Sequence, residues 1–355
     1  MRILGARPVI SLLALVFWLA VIVVFLQVPS YLERFQDQRS INVLAWASLL
    51  DSTYFKKFEQ ATGIRVHITY FERNEELFVK LRSSGGSGYD LVMPSTHTAE
   101  LLHQEGLLKK LDKTRLKFWD NLYPTLLGHW HDPNNDYTIP YAWMVYGLAV
   151  STCHLPSGPL ESSWRIIFDK EYVPGPVAML EDAREAPMIA ALYLFGSAEN
   201  LDEEKLEQIK QLLERQKEWV AVYTDLRAAQ IMASGVAPIV VVASLDIALA
   251  MRHNKCIQFL VPQEGSFMDI DSFAMPAATE KEEYVYEFLN YLYTPEILAK
   301  YVKKFAIFPT LQGVAVSYEN FPFTGPDREL LNRLQFFKSS VPASRFTSLW
   351  VSLKA

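Results

Sequence analysis

TIPYAWMVYGLAVS, Thr138–Ser151, divides this chain of 355 residues. On each side of it short apolar runs alternate with amphipathic ones. Before it, INVLAWA (Ile41–Ala47) reads as a strand. Ser52 is placed to cap the helix that follows, with Tyr54, Phe55, Phe58 and Ala61 near one face and Gly63 closing it. IRVHITYF (Ile64–Phe71) is the next strand and NEELFVKLRSS (Asn74–Ser84) a helix. GGSGYD is a turn, YDLVMPS (Tyr89–Ser95) a buried strand, and AELLHQEG (Ala99–Gly106) a helix closed by glycine. After the dividing stretch, EEKLEQIKQLLERQKEWV (Glu203–Val220) carries Leu206, Ile209, Leu212 and Leu213 as a helical apolar stripe. APIVVVAS (Ala237–Ser244) is a buried strand and SFMDIDSFAMPA (Ser266–Ala277) another. KEEYVYEFLNYLYTPEILAKYVKKF (Lys281–Phe305) is a helix expected to break at Pro295. Such alternation predicts an α/β protein with a mainly parallel sheet.

Half of the residues are hydrophobic, enough for one large two-lobed unit or two domains. A formal net charge of −6 argues against nucleic acid, which needs clustered Lys and Arg. The two cysteines, Cys153 and Cys256, have no metal-like or CxxC spacing, and whether they pair is open at this stage. At the N-terminus, VISLLALVFWLAVIVVFLQV (Val9–Val28) has only Ser11 and Gln27 as polar residues, the length and composition of a bilayer-spanning helix. Arg2 and Arg7 before it predict a cytoplasmic N-terminus and an exported remainder. The exit, QVPSYLERF, has no small-x-small site, so an uncleaved anchor over 1–30 and a linker over 31–40 are expected, with a cleaved signal as the alternative.

Candidate chemistry concentrates in two stretches. In EDAREAP (Glu181–Pro187), Asp182 and Glu185 are three apart, so on a first helical turn they face one way. Acids there also suit the helix dipole with no ligand at all, and Arg184 reads as a surface charge. DIDSFAMP adds Asp269, Asp271 and Ser272. Paired carboxylates can serve a hydrolase. However, no nucleophile elbow, HExxH or phosphate loop accompanies them, and the seven histidines show no ligand spacing. No enzyme, cofactor or metal is expected.

DLVMPST (Asp90–Thr96), DPNNDYTIPYAW (Asp132–Trp143), EDARE (Glu181–Glu185) and FPT (Phe308–Thr310) follow one another in an order and spacing that resembles the spermidine/putrescine-binding periplasmic proteins. These are the solute receptors of polyamine ABC transporters. The resemblance runs from about Ile41 to the C-terminus and implies a periplasmic-binding-protein fold of two lobes with the ligand in the cleft between them. Lobe one would be 41–145 plus 268–355 and lobe two 146–267. It implies a polyamine or similar cation as ligand, an ABC permease as partner, a monomer, and a periplasmic location at the inner membrane. A polyamine needs separated carboxylates for its ammonium groups and apolar or aromatic walls for its methylenes. By the resemblance, Asp182, Glu185 and Asp271 pair with amines and Trp46 and Phe308 pack along the chain. Ser95 and His97 offer hydrogen bonds, His97 with a possible pH dependence, and Gln335 matches a cleft glutamine. Departures stand beside these matches: Ala47, Leu49, His97, Val242, Asp269 and Phe308 replace hydroxyl or aromatic residues, so the aromatic cage is reduced while Asp269 adds a charge. A tethered sensor or scaffold for another polar solute is the alternative function.

Overall fold

The computed structural model describes Trp18 and residues 39–355, except 48, 156–159, 225, 226, 315–320 and 324. Apart from Trp18, the anchor expected over 1–30 and most of its linker lie outside the described residues. Among the described residues no helix is long and apolar enough to cross a membrane.

The first lobe opens with β1 (Ser40–Trp46), α1 (Lys56–Thr62), β2 (Arg65–Phe71), α2 (Asn74–Ser84), β3 (Leu91–Val92) and α3 (Thr96–Gln104). Strand β1 pairs in parallel with both β2 and β3. Next comes β4 (Thr138–Ser151), the dividing stretch. The second lobe holds α4 (Arg165–Phe168), β5 (Val177–Leu180), α5 (Glu185–Phe195), α6 (Glu203–Gln216), β6 (Val220–Thr224), α7 (Ala228–Ser234), β7 (Ile239–Ala243), α8 (Ser244–His253) and β8 (Ile257–Leu260). The chain then returns along β9 (Ser266–Ala274), α9 (Glu282–Leu292), α10 (Pro295–Phe305), β10 (Phe308–Pro309), α11 (Arg328–Leu331), β11 (Leu334–Phe336) and α12 (Ala343–Lys354).

Strand β4 joins the lobes because it is long enough to belong to two sheets. Its residues Thr138–Val145 pair antiparallel with β9, and Tyr146–Ser151 pair antiparallel with β7 and β8. Parallel pairing joins the outer strands of each lobe and the short β11 to β9, while the crossing strands β4 and β9 pair antiparallel with each other. The sheet is therefore mixed rather than mainly parallel. At the crossing point Gly147 has no room for a side chain: a Cβ would stand 2.5 Å from the Leu260 carbonyl and 2.7 Å from the Phe259 ring. The β4–β9 ladder slips between Pro140 and Ala142, where proline has no N–H to give. Thr310 Oγ1 and Tyr293 Oη each donate to the freed Pro140 carbonyl at 2.7 Å.

Inside the second lobe the strand pleat sorts residues by parity. Val240 and Val242 face the core shared with the first lobe, while Ile239 and Val241 face α5 and α6. The predicted break at Pro295 is present, with Pro295 in the first turn of α10. Two local expectations are corrected. Asp51, not Ser52, caps the first turn through Thr53 N, and the α-helix begins at Lys56. Residues 268–355 do not all lie in lobe one: Phe346, Leu349, Trp350 and Leu353 of α12 bury into the second-lobe core beside Leu206, Ile209 and Leu213. Amphipathicity shows that a helix buries one face but not which lobe receives it. Cys153 and Cys256 are joined, with Cα atoms 5.5 Å apart, tying the end of β4 to the turn before β8. The two cysteines are 103 residues apart, and closing a loop of that length contributes about 4.7 kcal/mol in the chain-entropy view.

Candidate functional site

Loops at strand ends of both lobes meet over the crossing strands, and the space between them holds two communicating compartments. The inner one, against the crossing strands, is about 180 Å³, and the outer one, toward α12, about 480 Å³. The inner compartment is floored by Met144 and Tyr146 of β4 and by Asp269 and Asp271 of β9. Those two acids are two apart on a strand, so the pleat sends both to the same face. They lie opposite Met144 and Ala142 in the β4 ladder.

From the second lobe, β5 runs into a turn closed by Asp182. Its Oδ1 accepts the backbone N–H of Arg184 at 2.7 Å and of Glu185 at 2.6 Å. Asp182 therefore organises the start of α5 and also faces the cavity. Glu185, the first residue of α5, accepts the Tyr146 hydroxyl at 2.9 Å. From β7, the chain enters α8 and brings Asp246 to the same wall. From the first lobe come Trp46 at the end of β1 and Ser95 before α3. The Ser95 side chain makes no cap to the helix; its Oγ lies 3.4 Å from Thr98 Oγ1. Trp46 packs on Phe71 with ring centroids 4.3 Å apart, and its buried Nε1 has no hydrogen-bond partner among the described residues.

The electrostatics are one-sided. Eight carboxylates line the inner compartment, and Arg73 is the only cation of its lining among the described residues. Burial pushes the Asp271 carboxyl well above the usual carboxylate range; the charges of Asp269 and Asp246 push the same way and the nearby Trp46 indole opposes them. Glu185 is also raised well above its usual value, by burial first and then Asp182 and Asp269, against the Tyr146 hydroxyl and Arg184. Asp269 is raised by burial, although its Oδ1 accepts Thr96 N at 3.1 Å and Ile270 N at 2.8 Å. These bonds tie the crossing strand to the start of α3, so part of Asp269 is structural.

Of the residues expected from sequence, Trp46, Ser95, Asp182, Glu185, Asp269 and Asp271 meet in the inner compartment. His97 lines the outer one. Burial, and then the Arg184 charge, hold its imidazole down at about 4, so it stays neutral across the physiological range. Two expected residues lie in neither compartment. Phe308 is buried between Trp143, Phe321 and Phe323. Its strand pairs with β4 to hold the bulge, and the FPT motif is spent there on structure. Gln335 follows β9 in parallel and donates to the Gly196 carbonyl at 2.9 Å, bridging the lobes outside the cleft.

Three contributors escape sequence reading. Asp246 sits in SLDIAL, where an acid in a first helical turn has no special mark. Tyr146 lies in the middle of an apolar strand. Arg184 reads as a surface charge, yet its Nη2 donates to the Phe337 carbonyl and its guanidinium lies among Glu185, Asp269, Asp182 and Glu100.

Residues 53–321 match the family model described as bacterial extracellular solute-binding protein. The spermidine/putrescine-binding periplasmic protein of Escherichia coli is 28% identical over 274 residues, 77% of this chain and 78% of that protein. A putrescine-binding periplasmic protein of Pseudomonas aeruginosa is 27% identical over 345 residues, 90% of this chain and 93% of its own. Among solved structures, a spermidine/putrescine ABC transporter substrate-binding protein of Streptococcus pneumoniae superposes with a TM-score of 0.78. At 21% identity it covers 89% of this chain and 99% of that one, a likeness of fold.

Proposed function

The chain belongs to the bacterial extracellular solute-binding proteins, receptors rather than enzymes, and we propose that its solute is a polyamine such as putrescine or spermidine. One observation carries the reading: the inner compartment sets eight carboxylates against one cation of its lining among the described residues, with Asp271 buried and Glu185 and Asp269 half-buried. Buried carboxylates are costly to ionise without a counter-charge. A ligand with several ammonium groups supplies that charge, and Trp46, Leu49 and Met144 give its methylenes an apolar wall. Asp271 and Glu185 take ammonium groups directly. Asp182 and Asp269, half committed to backbone N–H groups, add field rather than strong contacts.

Closure of the lobes about β4 and β9 then presents the loaded receptor, as a monomer, to an ABC permease. The lobes are 41–145 with the return from 268, and 146–267 with α12 added. The N-terminal apolar run holds the receptor to the inner membrane as an uncleaved helix, with the binding lobes on the periplasmic side. The Cys153–Cys256 bond supports an oxidising compartment. Tethering keeps the receptor at high effective concentration near its permease. Titration calorimetry of the full chain with putrescine and spermidine tests the ligand. Saturable binding is expected. A folded chain that takes up neither overturns the proposal.

A further inference from the structure

We infer that the solute carries, beyond its ammonium groups, an uncharged apolar substituent bearing a hydrogen-bond acceptor, the chemistry of an N-acylated polyamine, and that this part occupies the outer compartment. The inference rests on the polyamine reading and goes further by naming the solute class.

The outer compartment is the larger of the two, about 480 Å³ against about 180 Å³. Its walls differ in kind. Among the described residues, those that line it without also lining the inner space include no carboxylate. They include Phe78, Leu101, Trp130, Phe337, Phe346 and Trp350, together with the guanidinium of Arg184. Aromatic faces could attract an ammonium group, but here the protein's own cations already cover them. Lys338 lies 5.7 Å from the Trp130 ring centroid, Lys354 4.9 Å from Trp350, and Arg82 5.8 Å from Phe78. Phe337 is stacked on Phe267 at 4.2 Å. The carboxylates that border it, Glu75, Glu181, Asp182, Glu185 and Asp269, are all shared with the inner space, so a terminal ammonium placed at the aromatic end would meet Arg184 without a carboxylate of its own.

An acyl group suits the same walls. Its alkyl part buries against aromatic edges and Leu101, where each methylene removed from water adds to affinity. Its carbonyl meets a donor that lacks a partner: Trp130 Nε1 is buried and unbonded among the described residues. An indole N–H only donates, so the missing partner is an acceptor.

Calorimetry of the full chain against putrescine, spermidine and N1-hexanoylspermidine tests the inference. The acylated compound and putrescine carry the same number of ammonium groups, so their difference reads the substituent. At least tenfold tighter binding of N1-hexanoylspermidine than of putrescine is expected. Trp130→Phe keeps the ring and removes the donor, and should shrink that preference about five- to tenfold. Thr347→Trp, at an exposed position on the same wall, fills the space and should abolish the preference. If the amines bind and the acylated compound binds no tighter than putrescine, the inference is overturned and the polyamine reading stands. If none of the three binds, the polyamine reading fails and takes the inference with it.

Discussion

Carboxylates on the outside of this molecule and those in its cleft live under opposite rules. Outside, Glu76 pairs with Lys80 and Glu296 with Lys300, four residues apart on a helix. Glu218 pairs with Lys170 across a turn of the fold. In each case the lysine holds the carboxyl below its usual range. Inside, Glu185, Asp269 and Asp271 are all raised by burial first, and Glu185 and Asp271 further by neighbouring acids. A chain with 34 Lys and Arg residues had cations to spend on its surface acids, and among the described residues only Arg184 approaches the deep ones. The contrast teaches that the cleft leaves its balancing charge to come from outside.

The strongest way to break that contrast is to remove the deep acids. Glu185→Gln with Asp271→Asn should weaken binding of a diamine by about 4 kcal/mol or more, because each loss leaves a buried ammonium unpaired. Calorimetry measures it. A loss below about 1 kcal/mol would place the ammonium groups elsewhere.

Titration sharpens the comparison next. Raised carboxyls must ionise to pair with an ammonium, so binding expels protons and affinity falls as pH drops. Between pH 8 and 5.5 the affinity of the full chain for putrescine should fall about tenfold or more, since each proton released costs a factor of ten per pH unit below the carboxyl's value. The enthalpy should also change with buffer ionisation heat. A flat profile would mean that the deep acids are already ionised without ligand. His97 adds nothing in this window, because its imidazole titrates at about 4.

Much of this was legible from residues and some was not. The βαβ alternation and the break at Pro295 follow from patterns of period two, three and four, while the roles of the acids at 182, 185 and 271 came from the resemblance, with Asp269 standing as a departure from it. Such patterns say which side chains share a face. They do not say which distant face receives them, and that is where expectation and structure part. Phe308 is apolar at a strand end, which fits a cleft wall or a core equally; the neighbouring Phe321 and Phe323 decide for core. The apolar face of α12 fits either lobe. Arg184 is polar beside acids, and partners distant in sequence, the carbonyl of Phe337 153 residues away and the acids at 100 and 269, draw it inward. Cys153 and Cys256 meet because β8 lies beside the end of β4, a long-range pairing that spacing does not encode.

Stability without ligand reads the same contrast more gently. Asp271 has a folded-state value raised above its unfolded one, near 3.9. Its folded form is at its best when protonated, below that unfolded value. As pH rises the unfolded chain ionises freely and the folded one resists, so stability is lost until the raised folded value is passed. Asp271→Asn removes this loss. The variant should therefore melt higher than the parent at pH 7.5, by roughly 1–2 kcal/mol, and match it near pH 4. Scanning calorimetry at both values is the check, and a parent that melts higher at pH 7.5 would show a counter-charge already in place.

The smallest effect is the outside control. Glu76→Gln breaks an exposed pair with Lys80 whose oxygen and nitrogen stand 2.6 Å apart. Short distance suggests strength, but both groups keep a water shell and salt screens them, so the pair adds little to stability. Melting should move by about one degree, and affinity for putrescine should not move at all. Its slope with pH should also be unchanged. An exposed acid that altered that slope would mean the field of the whole surface, and not the burial of three side chains, sets the charge of the cleft.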